Sequence, residues 1–405
     1  MDPAAPDSGR QTVEISVIGA ICAAAIAGQL SNAQFAPFIS EIASDLGRTT
    51  PVIGQAATVY LIAAAVAGLV VGPLADRYGH RRALVVGLSL SALSAIGGGL
   101  APSFAVLLIT RLVGGLGLAA TLGVVFAMVS SRYRGPIRLR ALSIVSGALS
   151  LTMVAGVPAL TGMSTWIAWR GAWIVVGLLA VGAIGGLLAF SPPDPPAEGD
   201  RITPGEILRS YLPLLHSRPM LALFGASVSR GVLFTSALTY LGAYFVDELG
   251  LSVQEFGLVA AGGGAAFALG SFVAGQLGRV DMRPLFALST TLAGVWFACA
   301  YGFGFAPLAT AGLIALAYFF VGVSVVTMLD LLATTTPGGQ ATTLVINESI
   351  FSVGAALGAA TGGLLIGLGG YGALALGLPV AALTASLLIW RPGLAAPALA
   401  RSDRA

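Results

Sequence analysis

Apolar residues fall along this chain in runs of about twenty, broken by short polar segments in which most of the arginines gather. A helix of that length crosses roughly 30 Å of hydrocarbon. Twelve such spans are predicted, at about 14–38, 50–74, 83–101, 103–130, 141–163, 172–190, 219–245, 253–276, 284–303, 306–332, 341–366 and 371–390. The first is longer than a signal-peptide core and lacks a convincing small-residue cleavage site behind it, so it reads as a retained helix. The longest interruption, Ser191 to Arg218, opens with Pro192, Pro193, Pro195 and Pro196 and then turns to mixed charge. It reads as a linker between two halves of six spans, 1–190 and 219–405. The expected fold class is an all-α membrane protein of two pseudo-symmetric six-helix bundles.

Composition agrees. Of 405 residues, 57% are hydrophobic and 9% charged, where a soluble domain carries roughly 25% charge. So few charges cannot cover a water-facing surface. Cys22 and Cys299 lie singly inside apolar runs, away from any histidine at ligand spacing, so no disulfide framework, metal site or cofactor is expected. All twenty basic residues are arginine, and sorting them by alternate loops puts sixteen on the side of the termini and two, Arg48 and Arg170, on the other. That bias predicts both termini and the linker on the cytoplasmic side. A net charge of +3 therefore reads as a topology signal and excludes a nucleic-acid surface. Trp166, Trp169 and Trp173 are expected at the outer interface.

An internal repeat supports the two halves. Asp45-Leu46-Gly47 with Gly54 recurs as Glu248-Leu249-Gly250 with Gly257, and Gly72 and Leu74 recur as Gly275 and Leu277, all at an offset of 203. Duplicated halves are a common transporter plan, with the solute between them. Gly68 with Gly72, and Gly354, Gly358 and Gly362, are spaced four apart, which lets helix backbones approach closely in lipid.

Charge inside hydrocarbon costs about 2.5–3.5 kcal/mol on insertion scales, so each such residue needs a reason. Away from the span ends these are Arg111, Arg230 and Glu348, with Asp330 near the end of the tenth span. A proton carrier must change charge in the working range, which arginine cannot do, and His80 and His216 lie outside the spans. Glu348, beside Asn347, is the candidate proton-coupling residue; the competing reading is a permanently ionised partner of Arg230. It shares a helix face with Ser352, Ala355 and Ala359, while the glycine stripe points elsewhere. Arg230 lies some 16 Å into the seventh span at 1.5 Å per residue, with Phe234 on its face and Tyr240 close by. It could hold an anion or a polar aromatic, or simply neutralise Glu348. Gln29 and Asn32, three apart in the first span, could bond the same solute or knit helices together.

The stretch Gly72-Pro73-Leu74-Ala75-Asp76-Arg77-Tyr78-Gly79-His80-Arg81-Arg82, between the second and third spans, resembles the signature loop of the major facilitator superfamily. The resemblance implies a cytoplasmic gate in which Asp76, Arg77 and Arg81, with Gly72 and Gly79, hold the halves together in the outward-open state. In the second half Arg279 stands where Asp76 would. Arg111-Leu112-Val113-Gly114-Gly115-Leu116-Gly117 is similar to the family's intramembrane arginine motif, which implies a part for Arg111 in proton transfer. Gly156-Val157-Pro158 with Gly162 is similar to the family's antiporter motif, with Val157 and Thr161 departing from it. The resemblance points to the drug:proton antiporter and arabinose-efflux branch, to a monomer, and to a bacterial inner membrane.

The expected function is a proton-coupled secondary transporter exporting a small organic or amphipathic compound by alternating access. The alternatives are uptake of a sugar or small organic anion by symport and, further off, a non-transporting receptor. No phosphate-binding loop, nucleophile arrangement or paired intramembrane carboxylates occur, so an enzyme is excluded as a reading. Partners are the solute, protons and membrane lipid.

Overall fold

A computed structural model describes residues 14–133, 135–194, 205, 212–277, 281–304, 306–336 and 340–390. Ten helical segments among these are long and apolar enough to cross a membrane, and two of them, Ile144–Phe190 and Ile346–Ile389, run 47 and 44 residues. One crossing needs about 20. Each long segment is two crossings, divided where the backbone leaves the helical region: at Ala168 (φ 54°) in the first and at Gly369 and Gly370 in the second. The twelve spans are α1 Ile15–Asp45, α2 Thr50–Tyr78, α3 His80–Gly99, α4 Phe104–Val129, α5 135–167, α6 169–190, α7 Arg218–Glu248, α8 Val253–Gln276, α9 Met282–Gly302, α10 Pro307–Thr335, α11 340–368 and α12 371–389.

Breaks in these spans follow from their residues. A short 3₁₀ turn, Ala36–Phe38, interrupts α1 at Pro37. In α5 a single π turn, Thr152–Gly156, precedes Pro158, whose missing N–H and ring displace the bond to the carbonyl four residues back. The repeat at offset 203 is visible in the backbone: Gly47 and Gly250 close α1 and α7 at φ +60° and +69°.

The cores show how the halves meet. At the end that carries the termini the buried side chains form two separate clusters. One, with Ile21, Leu84, Val125 and Leu187, belongs to the first half. The other, with Met220, Phe286, Met328 and Ile346, belongs to the second. At the far end a single cluster is shared, in which Phe38, Ile42 and Ile53 of the first half pack with Tyr240, Ala243, Val253 and Ala359 of the second. The far end is closed and continuous. Within the halves, Thr291 of α9 bonds Ser386 of α12, and Gly177 of α6 packs close to Ile96 of α3.

Glycines line the shared seam, where van der Waals fit rather than hydrophobic burial drives association. A Cβ at Gly54 of α2 would overlap the Tyr240 ring of α7, and one at Gly257 of α8 would overlap the Thr161 hydroxyl of α5. A Cβ at Gly242 of α7 would meet the backbone of Ala36 and Pro37 in α1, one at Gly264 of α8 would lie 3.0 Å from Met153, and one at Gly68 of α2 would lie 2.8 Å from the Ser349 hydroxyl of α11. One polar link crosses near the rim, where Ser40 donates to Asp247 at 2.9 Å. The three expected interfacial tryptophans separate: Trp166 is 86% exposed, whereas Trp169 and Trp173 are core residues packed edge to face at 5.6 Å. Residues 169 and 173 are one turn apart and face the bundle interior; Trp166 precedes the reversal at Ala168 and does not share that face.

Candidate solute and coupling site

α7 and α11 pack along the glycine stripe anticipated from the sequence, with Gly354 against Val228, Gly358 against Val232 and Gly231 against Phe351. This contact sets the site. Arg230, 5% exposed, lies with its guanidinium 4.8 Å from the Phe351 ring centre, and its Nε has no hydrogen-bond partner. Glu348 of α11 is the residue with which it interacts electrostatically. No direct ion pair between them is formed among the described residues. The Glu348 carboxyl is desolvated by surrounding protein while its side chain keeps accessible surface. Next to it Asn347 is fully buried, its carbonyl oxygen accepting from Ser227 of α7 and its amide nitrogen unpartnered.

Gln29 and Asn32 of α1 are half-buried and make no hydrogen bond among the described residues. With Ala36 they are spaced at i, i+3 and i+7 and share a face. At Ala36 the backbone of α1 approaches Gly242 of α7 in the second half. Phe234, half-buried, packs at the edge of the second half's aromatic core.

The expected site residues differ in position. Tyr240 is fully buried, and its hydroxyl donates to the Ala359 carbonyl at 2.8 Å, so in this conformation it belongs to the seam. The Glu348 face narrows in the same way: Ser352 is half-buried, but Ala355 and Ala359 are sealed. Arg111 is 1% exposed in the interior of the first half, with Tyr60 as its electrostatic partner, and the structure does not bring it together with Glu348. Phe351 and Ser227 were not singled out in the sequence. Their signal was spacing: Phe351 stands three residues after Glu348 and Ser227 three before Arg230.

The loop between α2 and α3 is organised within the first half. Gly72 lies in the last turns of α2 beside Pro73, and Gly79 turns the chain at φ +105°. The Asp194 carboxylate accepts from the backbone N–H groups of Arg81 and Arg82 at 3.1 and 2.8 Å. Arg81 donates to the carbonyls of Leu187 and Leu188 at the end of α6, at 3.2 and 2.8 Å, where a cation is favoured by the helix dipole. Arg77 lies 5.7 Å from the Tyr78 ring. In this state, with the shared core at the far end, Arg81 ties α3 to α6 and to the start of the linker; the bridge between the halves expected of it belongs to the outward-open state. The Asp76 side chain and Arg279 lie outside the described residues, as does most of the linker.

In α5, Pro158 and Thr161 form the contact with Gly257 of α8, and a Cβ at Gly156 would lie 3.1 Å from Leu30 of α1. A Cβ at Gly162 would meet nothing, so that glycine serves no close approach. The antiporter-like segment is therefore part of the seam between the halves.

Residues 19–341 match the model of the Major Facilitator Superfamily. Among curated proteins the chain is 31% identical over 261 residues to a chloramphenicol resistance protein of Streptomyces lividans, an alignment covering 63% of this chain and 64% of that one. It therefore spans less than two thirds of that relative's length. A hexuronate transporter of Bacillus subtilis (strain 168) is 26% identical over 306 residues, 71% of each chain. Among solved structures, a D-xylose-proton symporter superposes with a TM-score of 0.76 at 14% identity, covering 95% of this chain and 99% of that one.

Proposed function

The chain belongs to the Major Facilitator Superfamily, and from that premise we propose that this multi-pass transporter exports a small neutral organic compound in exchange for protons. The observation that carries the proposal is the pair of Arg230 and Glu348, a buried cation with an unpartnered Nε–H that interacts electrostatically with a carboxylate whose side chain keeps accessible surface. Antiport requires solute and proton to exclude one another. A solute bearing hydroxyl or amide donors binds the ionised Glu348 carboxylate through charge-assisted hydrogen bonds, and protonation removes that acceptor. Gln29 and Asn32 face the same division from the first half and supply neutral hydrogen bonds, with Phe234 and Phe351 as apolar walls. The separate cores at the termini end and the shared core at the far end support access from the side of the termini. The arginine bias makes that side cytoplasmic, as in a bacterial inner membrane.

Export is further supported by the relative named a chloramphenicol resistance protein, since a transporter confers resistance by removing the compound. Arg230 favours a second reading. An anionic solute would bind its free N–H more strongly once Glu348 is protonated, so that anion and proton travel together. The two readings predict opposite proton movement. In proteoliposomes containing a pH dye, a gradient of a neutral hydroxylated amide should drive protons against the solute, and Glu348→Gln should abolish that movement while leaving solute exchange. Protons moving with organic anions would establish symport, and proton flux unchanged in Glu348→Gln would refute the assignment of Glu348.

A further inference from the structure

We propose that the interior of the first half holds a small inorganic anion of the halide class, bound at Arg111 in a chamber separate from the solute site. The Arg111 guanidinium is enclosed by three aromatic rings, at 3.9 Å from the ring centre of Tyr60, 5.0 Å from Phe35 and 5.8 Å from Trp173. These come from α2, α1 and α6, with Arg111 on α4 and Ser94 on α3. Ser94 and Tyr60 converge on one point, since a Cβ at Gly114 would meet the Ser94 hydroxyl and lie 3.0 Å from the Tyr60 ring. Gly114 is close to one turn beyond Arg111, so this point borders the guanidinium.

What distinguishes the chamber is its unspent hydrogen bonding. Arg111 Nε and Nη1, Tyr60 Oη, Ser94 Oγ, Trp173 Nε1 and, on the adjoining turn of α1, Ser31 Oγ are all buried without a partner. Each of these side chains belongs to a residue no more than 1% exposed. Guanidinium and indole nitrogens can only donate, and the hydroxyls are free to do so. Among the described residues, the orphan group nearby that can only accept is Gln34 Oε1. Burying this many donors around a full positive charge is costly unless one species satisfies them together. Aromatic faces offset part of the charge, but they supply no acceptor in the plane of the N–H groups. An anion of one or two heavy atoms supplies both acceptor and countercharge. Water supplies only the first. A cation is excluded by Arg111, and a large solute by the burial of every wall.

The occupant is integral to the first half, joining five of its six helices. Purified full-length protein in neutral detergent tests this. The apparent Tm is followed while sodium gluconate is replaced by sodium chloride at constant ionic strength, and bromide and nitrate are compared. A saturable rise of about 1–2 °C is expected for an anion that binds only the folded state near ten times its Kd. Arg111→Gln should remove the response. Ser94→Ala and Tyr60→Phe keep the cation and the rings, and should each raise the half-saturating chloride by about tenfold, the loss of one hydrogen bond to a charged group. A Tm that ignores the anion's identity would mean that water fills the chamber and would overturn the proposal. So would an unchanged half-saturation in both conservative variants, which keeps the test decisive where Arg111→Gln fails to fold.

Discussion

Ala168 has a φ that L side chains rarely adopt, and it sits there because α5 must end and α6 begin within one residue. Strain of this kind costs about 1–3 kcal/mol. Ala168→Gly should therefore raise the apparent Tm of the solubilised protein by about 2–4 °C, with transport unchanged; a fall would show that the methyl group has a packing role. Tyr240 poses a different question at the same scale. Its hydroxyl bonds Ala359 and its ring fills the space beside Gly54, so Tyr240→Phe should cost about 0.5–1.5 kcal/mol of stability and leave the KM for solute within about twofold. A large rise in KM would return Tyr240 to the solute site. Charged residues stood out in the sequence, because a charge in hydrocarbon always needs a reason, and Glu348 and Arg230 lie within electrostatic reach of one another. Aromatic residues were less legible. Tyr240, Trp169 and Trp173 carry apolar rings that suit lipid, cavity or core equally, and only the packing of other helices decides which.

Pairs of helices, not single ones, carry the seam. Gly54 in α2 and Gly257 in α8 are related by the repeat, and each receives a side chain from the other half: Tyr240 for Gly54, Thr161 for Gly257. The offset visible in the sequence thus marked two equivalent sockets, although their occupants share no sequence resemblance and could not have been paired from it. Filling either socket should block far-end closure. Gly54→Leu or Gly257→Leu should leave expression intact, lower solute exchange at least tenfold, and increase the reaction of a cysteine introduced at Asn32 with a membrane-impermeant thiol reagent applied from the far side. Unchanged labelling would mean that the far end tolerates the bulk by local adjustment. The antiporter-like segment belongs to this scale too. Pro158 was recognisable, but its effect is a π turn in α5 that presents Thr161 to α8, a consequence of backbone geometry that residue identity alone does not reveal.

For the molecule as a whole, the twelve spans in two six-helix halves were legible because hydropathy runs are set by the bilayer, which acts on every helix alike. How the halves touch was not legible, since it depends on two surfaces far apart in sequence. The Asp194 and Arg81 contacts show the difference: the loop motif was recognised, yet its observed bonds hold α3 to α6 and the linker within one half. If transport proceeds by rocking the halves about the central site, the far-end seam must open in each cycle. Ser40 and Asp247 lie across that seam at 2.9 Å, and both are accessible enough to modify. With Cys22 and Cys299 replaced by serine, a Ser40→Cys, Asp247→Cys protein treated with a short bifunctional thiol reagent should lose solute exchange while retaining solute binding from the side of the termini. Reduction of a cleavable crosslink should restore exchange. Exchange that continued through an intact crosslink would show that the far end does not open, and alternating access would then have to be replaced by movement within one half.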